Sequence, residues 1–335
     1  MTERLRVGLI GAGAIAQVAH LPTLRRMKDV EVAVVCDSDL PKARAVANRF
    51  KINDAFDDID DVLRYEELDA LVISTPNHLH ESHAISALSA GLHVLVEKPL
   101  ATSTKGVNRV IRQAKKSDRI LMVGTNQRYR PDVETVRGFV ESGELGKVDS
   151  VRGSWHVFRP SRLQLGWRMR QELAGGGAML DLGLAVLDIG LWLAGNPVPT
   201  RVSAVLNRLS ERSVEHAGSA FVVCENGASI FLDVTWNHIG DGERFGAGVR
   251  GSKGTASINP FVVWKQMHGA PVNVSPTTSW GRETPYQASF RAEWAHFLAA
   301  IRGRAKAPPL EDQVTLHQVL DAIYQSAEEN RDIKL

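Results

Sequence analysis

The sequence predicts an α/β fold in two parts, a doubly wound parallel sheet followed by an α+β domain whose open sheet is mostly antiparallel. Three observations predict it. The first 124 residues alternate short apolar runs with helical patterns. From residue 125 onward apolar runs follow one another, most of them separated only by turn residues. One long apolar segment, GGGAMLDLGLAVLDIGLWLAG (175–195), interrupts that second series. The domains read from this pattern are 1–124 and 125–335, and 335 residues suffice for two cores.

The strands of the first domain are LRVGLIG (5–11), VEVAVVCD (30–37), LDALVIST (68–75), LHVLVEK (92–98) and RILMVG (119–124). They are continuous runs of Val, Ile and Leu, as expected of strands covered on both faces by helices. DLPKARAVANRF and HESHAISALSAG between them read as helices, and strand–helix alternation implies a parallel sheet. In the second domain KVDSVRGSWHVF, RVSAVLNRL, SAFVVCEN, ASIFLDVTWN, FGAGVRG and TASIN read as strands. A helix over 178–194 divides them, and two more helices, near 288–302 and 311–328, close the chain.

Composition narrows the function. Forty basic and 38 acidic residues leave a net charge of +2 with no long block of one sign. That excludes the clustered Lys/Arg footprint of a nucleic-acid binder. The N-terminus enters a strand directly, without the apolar stretch of a signal peptide, and the 178–194 helix is too short and too charged to span a bilayer. Cys36 and Cys224, the only cysteines, lie in apolar strands and read as buried thiols of a reducing compartment. A cytoplasmic protein with no nucleic-acid or membrane partner and no metal is expected.

VGLIGAGAIAQ reads as a strand, then Gly11-x-Gly13-x-x-Ala16, then a helix. Such a turn lets backbone approach a pyrophosphate, which the helix N-terminus faces with free N–H groups. Alone, the pattern is also an ordinary turn. Here it follows the first strand of an alternating domain, and a second strand ends in Asp37, 26 residues after Gly11. An acid there can bond an adenosine ribose 2′-OH and repel a 2′-phosphate. With Ser38 and Asp39 after it and no adjacent Arg, the reading favours NAD over NADP, although Lys42 and Arg44 are near in sequence.

HVLVEKPLA puts Glu97 and Lys98 at the carboxyl end of a strand, where doubly wound sheets bind ligands, and STPNHLH ends the preceding strand in the same way. On the residues alone, a strand-end surface lysine and a catalytic lysine are equal readings.

These stretches, with NQRYRPDVETVRGFVESGELGKV, the 175–195 segment and VRGSKGTASI, resemble in order the Gfo/Idh/MocA oxidoreductases, relatives of glucose–fructose oxidoreductase and inositol dehydrogenase. The resemblance runs over essentially the whole chain. It implies a Rossmann domain and a second domain whose open sheet forms a homodimer or homotetramer. It also implies hydride transfer between NAD(P) and a hydroxyl carbon of a sugar, polyol or sugar acid. The implied cofactor residues are Gly11, Ala12, Gly13, Ala14, Ile15, Asp37, Ser38, Thr75, Pro76, Asn77, His80, Glu97, Lys98 and Asn126. Lys98 and Asp181 are the implied catalytic residues.

One position departs from the family pattern. The residue four after Asp181 is normally a histidine that takes the hydroxyl proton; here it is Ala185. Alcohol oxidation needs a base near the O–H. Four readings stay open: Lys98 supplies it; His156, His238 or an ordered water does; Lys98 and Asp181 act directly; or the chain binds NAD without turnover or recycles it in a redox-neutral reaction. Seven residues separate Asp181 from Asp188, so on a regular helix both share a face. Lys98 is the expected partner of Asp181, while Asp188 has no evident partner. Finally, FRPSRLQLGWRMRQE carries Arg159, Arg162, Arg168 and Arg170. By resemblance Arg159, Trp167, Arg168 and Asp181 line the substrate pocket. Guanidinium forks match a carboxylate, and a solvated basic loop is the competing reading.

Overall fold

The computed structural model describes residues 4–159, 166–210, 213–277 and 283–335. Contacts divide the chain into two compact units, Met1–Asn126 with Tyr286–Leu310, and Gln127–Pro285 with Glu311–Leu335. The sequence pattern placed everything after residue 124 in one domain. The structure instead returns residues 286–310 to the first unit, because the helix Pro285–Ile301 buries Trp294 and Phe297 there around His20.

The first unit holds strands β1 (Leu5–Ile10), β2 (Val30–Cys36), β3 (Asp54–Phe56), β4 (Ala70–Ile73), β5 (His93–Glu97) and β6 (Leu121–Gly124). Every pairing is parallel, in the order β3-β2-β1-β4-β5-β6. The order reverses between β1 and β4, so the loops after these strands, beginning at Gly11 and Ser74, flank the switch point where such sheets bind ligands. Val7, Leu9, Val34, Leu71, Val72 and Leu95 are fully buried, as the unbroken apolar runs require. The short β3 is half-buried and had no such run to announce it.

In the second unit β7 (Val148–His156), β8 (Pro199–Arg208), β9 (Glu215–Cys224), β10 (Ser229–Thr235), β11 (Arg244–Gly251), β12 (Gly254–Ile258), β13 (Val262–Met267), β14 (Ala270–Asn273) and β15 (Ile333–Lys334) form one sheet. It is antiparallel except for the β7–β10 pair. One face packs on the helix Leu184–Leu193, with Gly153 against Val186 and Gly190 against Ile230. On the other face Val205, Phe221 and Phe231 stand exposed. Among the described residues one helical stretch, Gln171–Leu193, is long and apolar enough to cross a membrane, and 83% of its apolar window is buried inside the protein. Cys36 and Cys224 are free and buried.

Candidate active site

The turn after β1 is built from two glycines with different jobs. Gly11 has φ +92°, and a Cβ on it would sit 2.6 Å from the Ser74 carbonyl oxygen, so only glycine closes the turn. A Cβ on Gly13 would meet nothing within 4 Å. That open backbone, before the helix that runs from Ala14, is a fitting seat for a pyrophosphate. Ala14 and Ser38 are exposed and Ile15 half-buried around it. Asp37 is anchored where the sequence placed it: Oδ2 accepts from Ala12 N at 2.9 Å and Oδ1 from Asp39 N at 3.1 Å. Lys42 Nζ lies 2.6 Å from Oδ2, so the nearby cation serves the aspartate.

Across the switch point, His80 ties two loops together. Its Nδ1 is 2.7 Å from Pro99 O and its Nε2 2.8 Å from Thr75 O. Burial pulls its pKa down against the two carbonyls, which favour the proton. His80 thus holds Thr75, at the end of β4, to Pro99, the residue after Lys98. Pro76 caps the helix Asn77–Ser89, and Asn126 Nδ2 donates to Ser289 Oγ at 3.0 Å.

Glu97 faces a buried network that sequence reasoning missed. Trp294 Nε1, which can only donate, bonds His20 Nδ1 at 3.0 Å. The imidazole proton therefore sits on Nε2 and is donated to Glu97 Oε1 at 2.9 Å. His20 is fully buried, with Phe290 edge-on at 5.5 Å. Glu293 is also fully buried, and burial, then the charge of Glu97, pushes its pKa well above the usual carboxylate range. The only signal was spacing within the late helix, where Ser289, Glu293 and Trp294 interrupt an apolar face.

In the second unit the glycine run is explained by a buried acid. Glu215 Oε1 accepts from Gly177 N at 2.7 Å, Met179 N at 3.0 Å and Tyr324 OH at 2.8 Å. It thereby satisfies backbone donors that the start of a helix leaves without partners. A Cβ on Gly176 would lie 1.9 Å from the Tyr324 hydroxyl oxygen, and one on Gly177 would lie 2.0 Å from Glu215 O. Burial and the Glu215 charge raise the Tyr324 pKa, which keeps the phenol a donor.

The next helix opens with a π turn, Met179–Gly183, in which Leu184 N bonds Met179 O. One extra residue in a turn rotates the rest of the helix by roughly 100°. The expectation that Asp181 and Asp188 share a face is therefore corrected. Asp188 is 2% exposed and takes a bidentate pair from Arg128, Nη2–Oδ1 2.6 Å and Nε–Oδ2 2.8 Å, while Arg128 Nη1 reaches Asp312 at 2.8 Å. Its role is structural. From Gly176 to Leu191 every residue except Asp181 and Ala185 is buried.

Asp181 Oδ2 pairs with Arg159 Nη2 at 2.7 Å and accepts from Trp236 Nε1 at 3.1 Å. Arg159 lies over the Trp236 ring at 5.5 Å, and Arg168 over Trp167 at 4.5 Å. So a charge partner of Asp181, Arg159, comes from its own unit. Arg170 is exposed; Arg162 lies outside the described residues. Trp236 was not anticipated, although its indole at the end of an apolar strand was a visible donor.

His156 does not reach Asp181. Strand alternation puts it with Arg152 and Ser154 on the face away from the helix, where its Nε2 bonds Asp233 at 2.7 Å and Ser219 Oγ bonds the other oxygen at 2.6 Å. His238 lies with it, ring centroids 5.7 Å apart. The bond to Asp233 commits His156, whereas His238 Nε2 is buried with no hydrogen-bond partner among the described residues.

Two family models match this chain: "Oxidoreductase family, NAD-binding Rossmann fold" over residues 5–125 and "GFO/IDH/MocA C-terminal domain" over 133–257. The oxidoreductase ORF334 of Rhizobium meliloti is 31% identical, over 97% of this chain and 98% of its own. D-glucoside 3-dehydrogenase of Escherichia coli is 26% identical, over 99% of this chain and 97% of its own. Among solved structures, GenD2 from gentamicin A biosynthesis in complex with NAD superposes with TM-score 0.87 at 27% identity, over 100% of this chain and 97% of that one. With the glycine turn and Asp37 arranged to take a dinucleotide, these likenesses make the chain an NAD-binding oxidoreductase, and it belongs to the GFO/IDH/MocA family.

Proposed function

We propose that the protein moves a hydride between the nicotinamide of NAD and a hydroxyl carbon of a sugar, polyol or sugar acid. The observation that carries this is the preserved polar set: Glu97 locked by His20 before Lys98, and Asp181 on the one accessible stripe of its helix. Relatives named D-glucoside 3-dehydrogenase and, at 30% identity over 71% of this chain, inositol 2-dehydrogenase of Corynebacterium glutamicum support the substrate class. NAD, when bound, supplies the hydride acceptor. The substrate's C–H bond breaks with its electron pair, and its O–H proton leaves, giving a carbonyl. Because Ala185 carries no base and His156 is committed to Asp233, we assign the proton to Lys98. Asp181 is the substrate-side catalytic residue, its charge steadied by Arg159 and Trp236.

Lys98→Ala should lower kcat by about a thousandfold or more while NAD still binds. A variant that keeps near-full activity on an identified substrate would remove Lys98 from the chemistry. The cofactor reading is tested separately. With Asp37 held by Ala12 N and Lys42, NAD should bind at least about tenfold more tightly than NADP, roughly 1.4 kcal/mol. Equal affinities in a titration would contradict it. We further propose a cytoplasmic enzyme, in keeping with its free buried thiols, that assembles as a homodimer or homotetramer through the sheet face bearing Val205, Phe221 and Phe231. Mass photometry of Phe231→Lys should show monomers; an unchanged assembly would place the interface elsewhere.

A further inference from the structure

We propose that Lys42 sets how strictly the cofactor seat refuses a 2′-phosphate, as a cation that offsets Asp37 and draws that phosphate, an inference that rests on the reading above of Asp37 as the ribose contact.

The ground is a closed ring of contacts just after β2. Asp39 N donates to Asp37 Oδ1 at 3.1 Å, and Lys42 N donates to Asp39 Oδ1 at 3.1 Å. Lys42 Nζ closes the ring on Asp37 Oδ2 at 2.6 Å. Asp39 is the N-cap of the helix Leu40–Phe50, and Pro41 presets the backbone of its first turn. The Lys42 side chain therefore starts from a fixed point. Arg44, two residues on and exposed, lies on roughly the opposite side of that helix.

The two oxygens of Asp37 are used unequally. Oδ2 accepts from Ala12 N at 2.9 Å as well as from Lys42, whereas Oδ1 accepts from Asp39 N. A carboxylate oxygen has two lone pairs, so Oδ1 keeps a place for a ribose hydroxyl. NADP carries a phosphate at that hydroxyl and loses the bond, which favours NAD. Charge acts separately. The Asp37 side chain is 10% accessible and that of Lys42 41%, so the ammonium stands on the solvent side of the carboxylate. A phosphate approaching a bare carboxylate is repelled; one approaching this ion pair also meets an attracting group. Asp37 discriminates through its hydrogen bond, and Lys42 removes much of the charge barrier behind it.

Calorimetric titration with NAD and with NADP tests this on the parent, Lys42→Met, Asp37→Ala and the double variant. Methionine keeps the apolar stem and suits a helix, so the fold is retained. Lys42→Met should raise the NAD-over-NADP affinity ratio about tenfold, chiefly by weakening NADP. Asp37→Ala should turn the preference to NADP by about threefold or more, because the ammonium then faces the phosphate alone. Adding Lys42→Met to Asp37→Ala should return the ratio to about one. Lys42→Arg, which keeps the charge, should stay within about threefold of the parent ratio. An unchanged ratio in Lys42→Met overturns the inference. So does a ratio that falls because NAD binding weakens while NADP binding holds, since Lys42 would then only position Asp37. In either case, loss of the NAD preference in Asp37→Ala leaves the ribose reading standing. If Asp37→Ala keeps the parent ratio, the ribose reading and the inference fall together.

Discussion

The π turn at Ala16–His20 in the first unit and the one at Met179–Gly183 in the second both come after a glycine-bearing loop, yet they aim their polar residues in opposite directions. The first buries His20 completely, between an indole donor and the Glu97 carboxylate. The second leaves Asp181 partly exposed, its side chain 23% accessible. What differs is the neighbourhood of each loop. Around His20 a late helix supplies Trp294 and Phe290; around Asp181 the helix surface is left open at Ala185 as well. Widened turns of this kind often mark functional sites, because one extra residue re-aims a side chain without ending the helix. Here one turn fixes a residue beside Lys98, and the other presents a residue outward.

The glycines before the two turns should respond to the same mutation in different ways. Gly177→Ala drives a Cβ to 2.0 Å from Glu215 O, a backbone atom that cannot swing aside. We expect a loss of more than about 4 kcal/mol, read as a collapse in melting temperature. Gly13→Ala has open space, so its melting temperature should hold while NAD affinity falls by about tenfold or more. If both variants melt alike, the contrast between the loops is wrong.

Next in size is Arg128→Ala. It would strand Asp188, whose side chain is only 3% accessible, with its bidentate partner gone. Breaking such a pair from one side costs about 3–5 kcal/mol. Denaturant titration checks it, and a loss under about 1 kcal/mol would mean that Asp188 has another adequate partner.

The smallest expected effect lies behind the first turn. Glu293 has a folded pKa raised by burial and by Glu97, so it contributes stability fully below its unfolded pKa. As pH rises above the ordinary carboxylate range, the unfolded state releases its proton while the folded state holds it, and stability falls. Glu293→Gln removes that loss. Its stability relative to the parent should therefore grow from pH 5 to pH 8. A gap of equal size at both values would show that Glu293 does not keep its proton in the fold.

Much of this was legible in the chain itself. Unbroken Val/Ile/Leu runs gave five of the six parallel strands, because burial on both faces leaves no room for polar residues. The exception, Asp54–Phe56, is three residues long and half-buried. Val262–Met267 and the two edge strands, Ala270–Asn273 and Ile333–Lys334, were also missed, since short or exposed strands carry little pattern. Gly11, Gly13 and Asp37 were legible as a local motif with a known spacing. Arg128 as the partner of Asp188, sixty residues away, was not, and neither was Glu215 behind the glycine run, 38 residues away. The π turn hid as well, because helical periodicity assumes a regular repeat. Long-range pairing of buried charges leaves no periodic trace.

The first unit also sets a timetable for its own making. Its six strands are complete once residue 124 has been synthesised, but Trp294, the donor to His20, is encoded far downstream. At about 5–20 residues per second, the ribosome needs roughly ten to thirty seconds to cover that interval. Throughout it, His20 lacks its indole partner, and the surface later covered by Phe290, Trp294 and Phe297 faces solvent. The nascent chain must therefore carry an unfinished dinucleotide-binding unit while the whole second sheet is being translated.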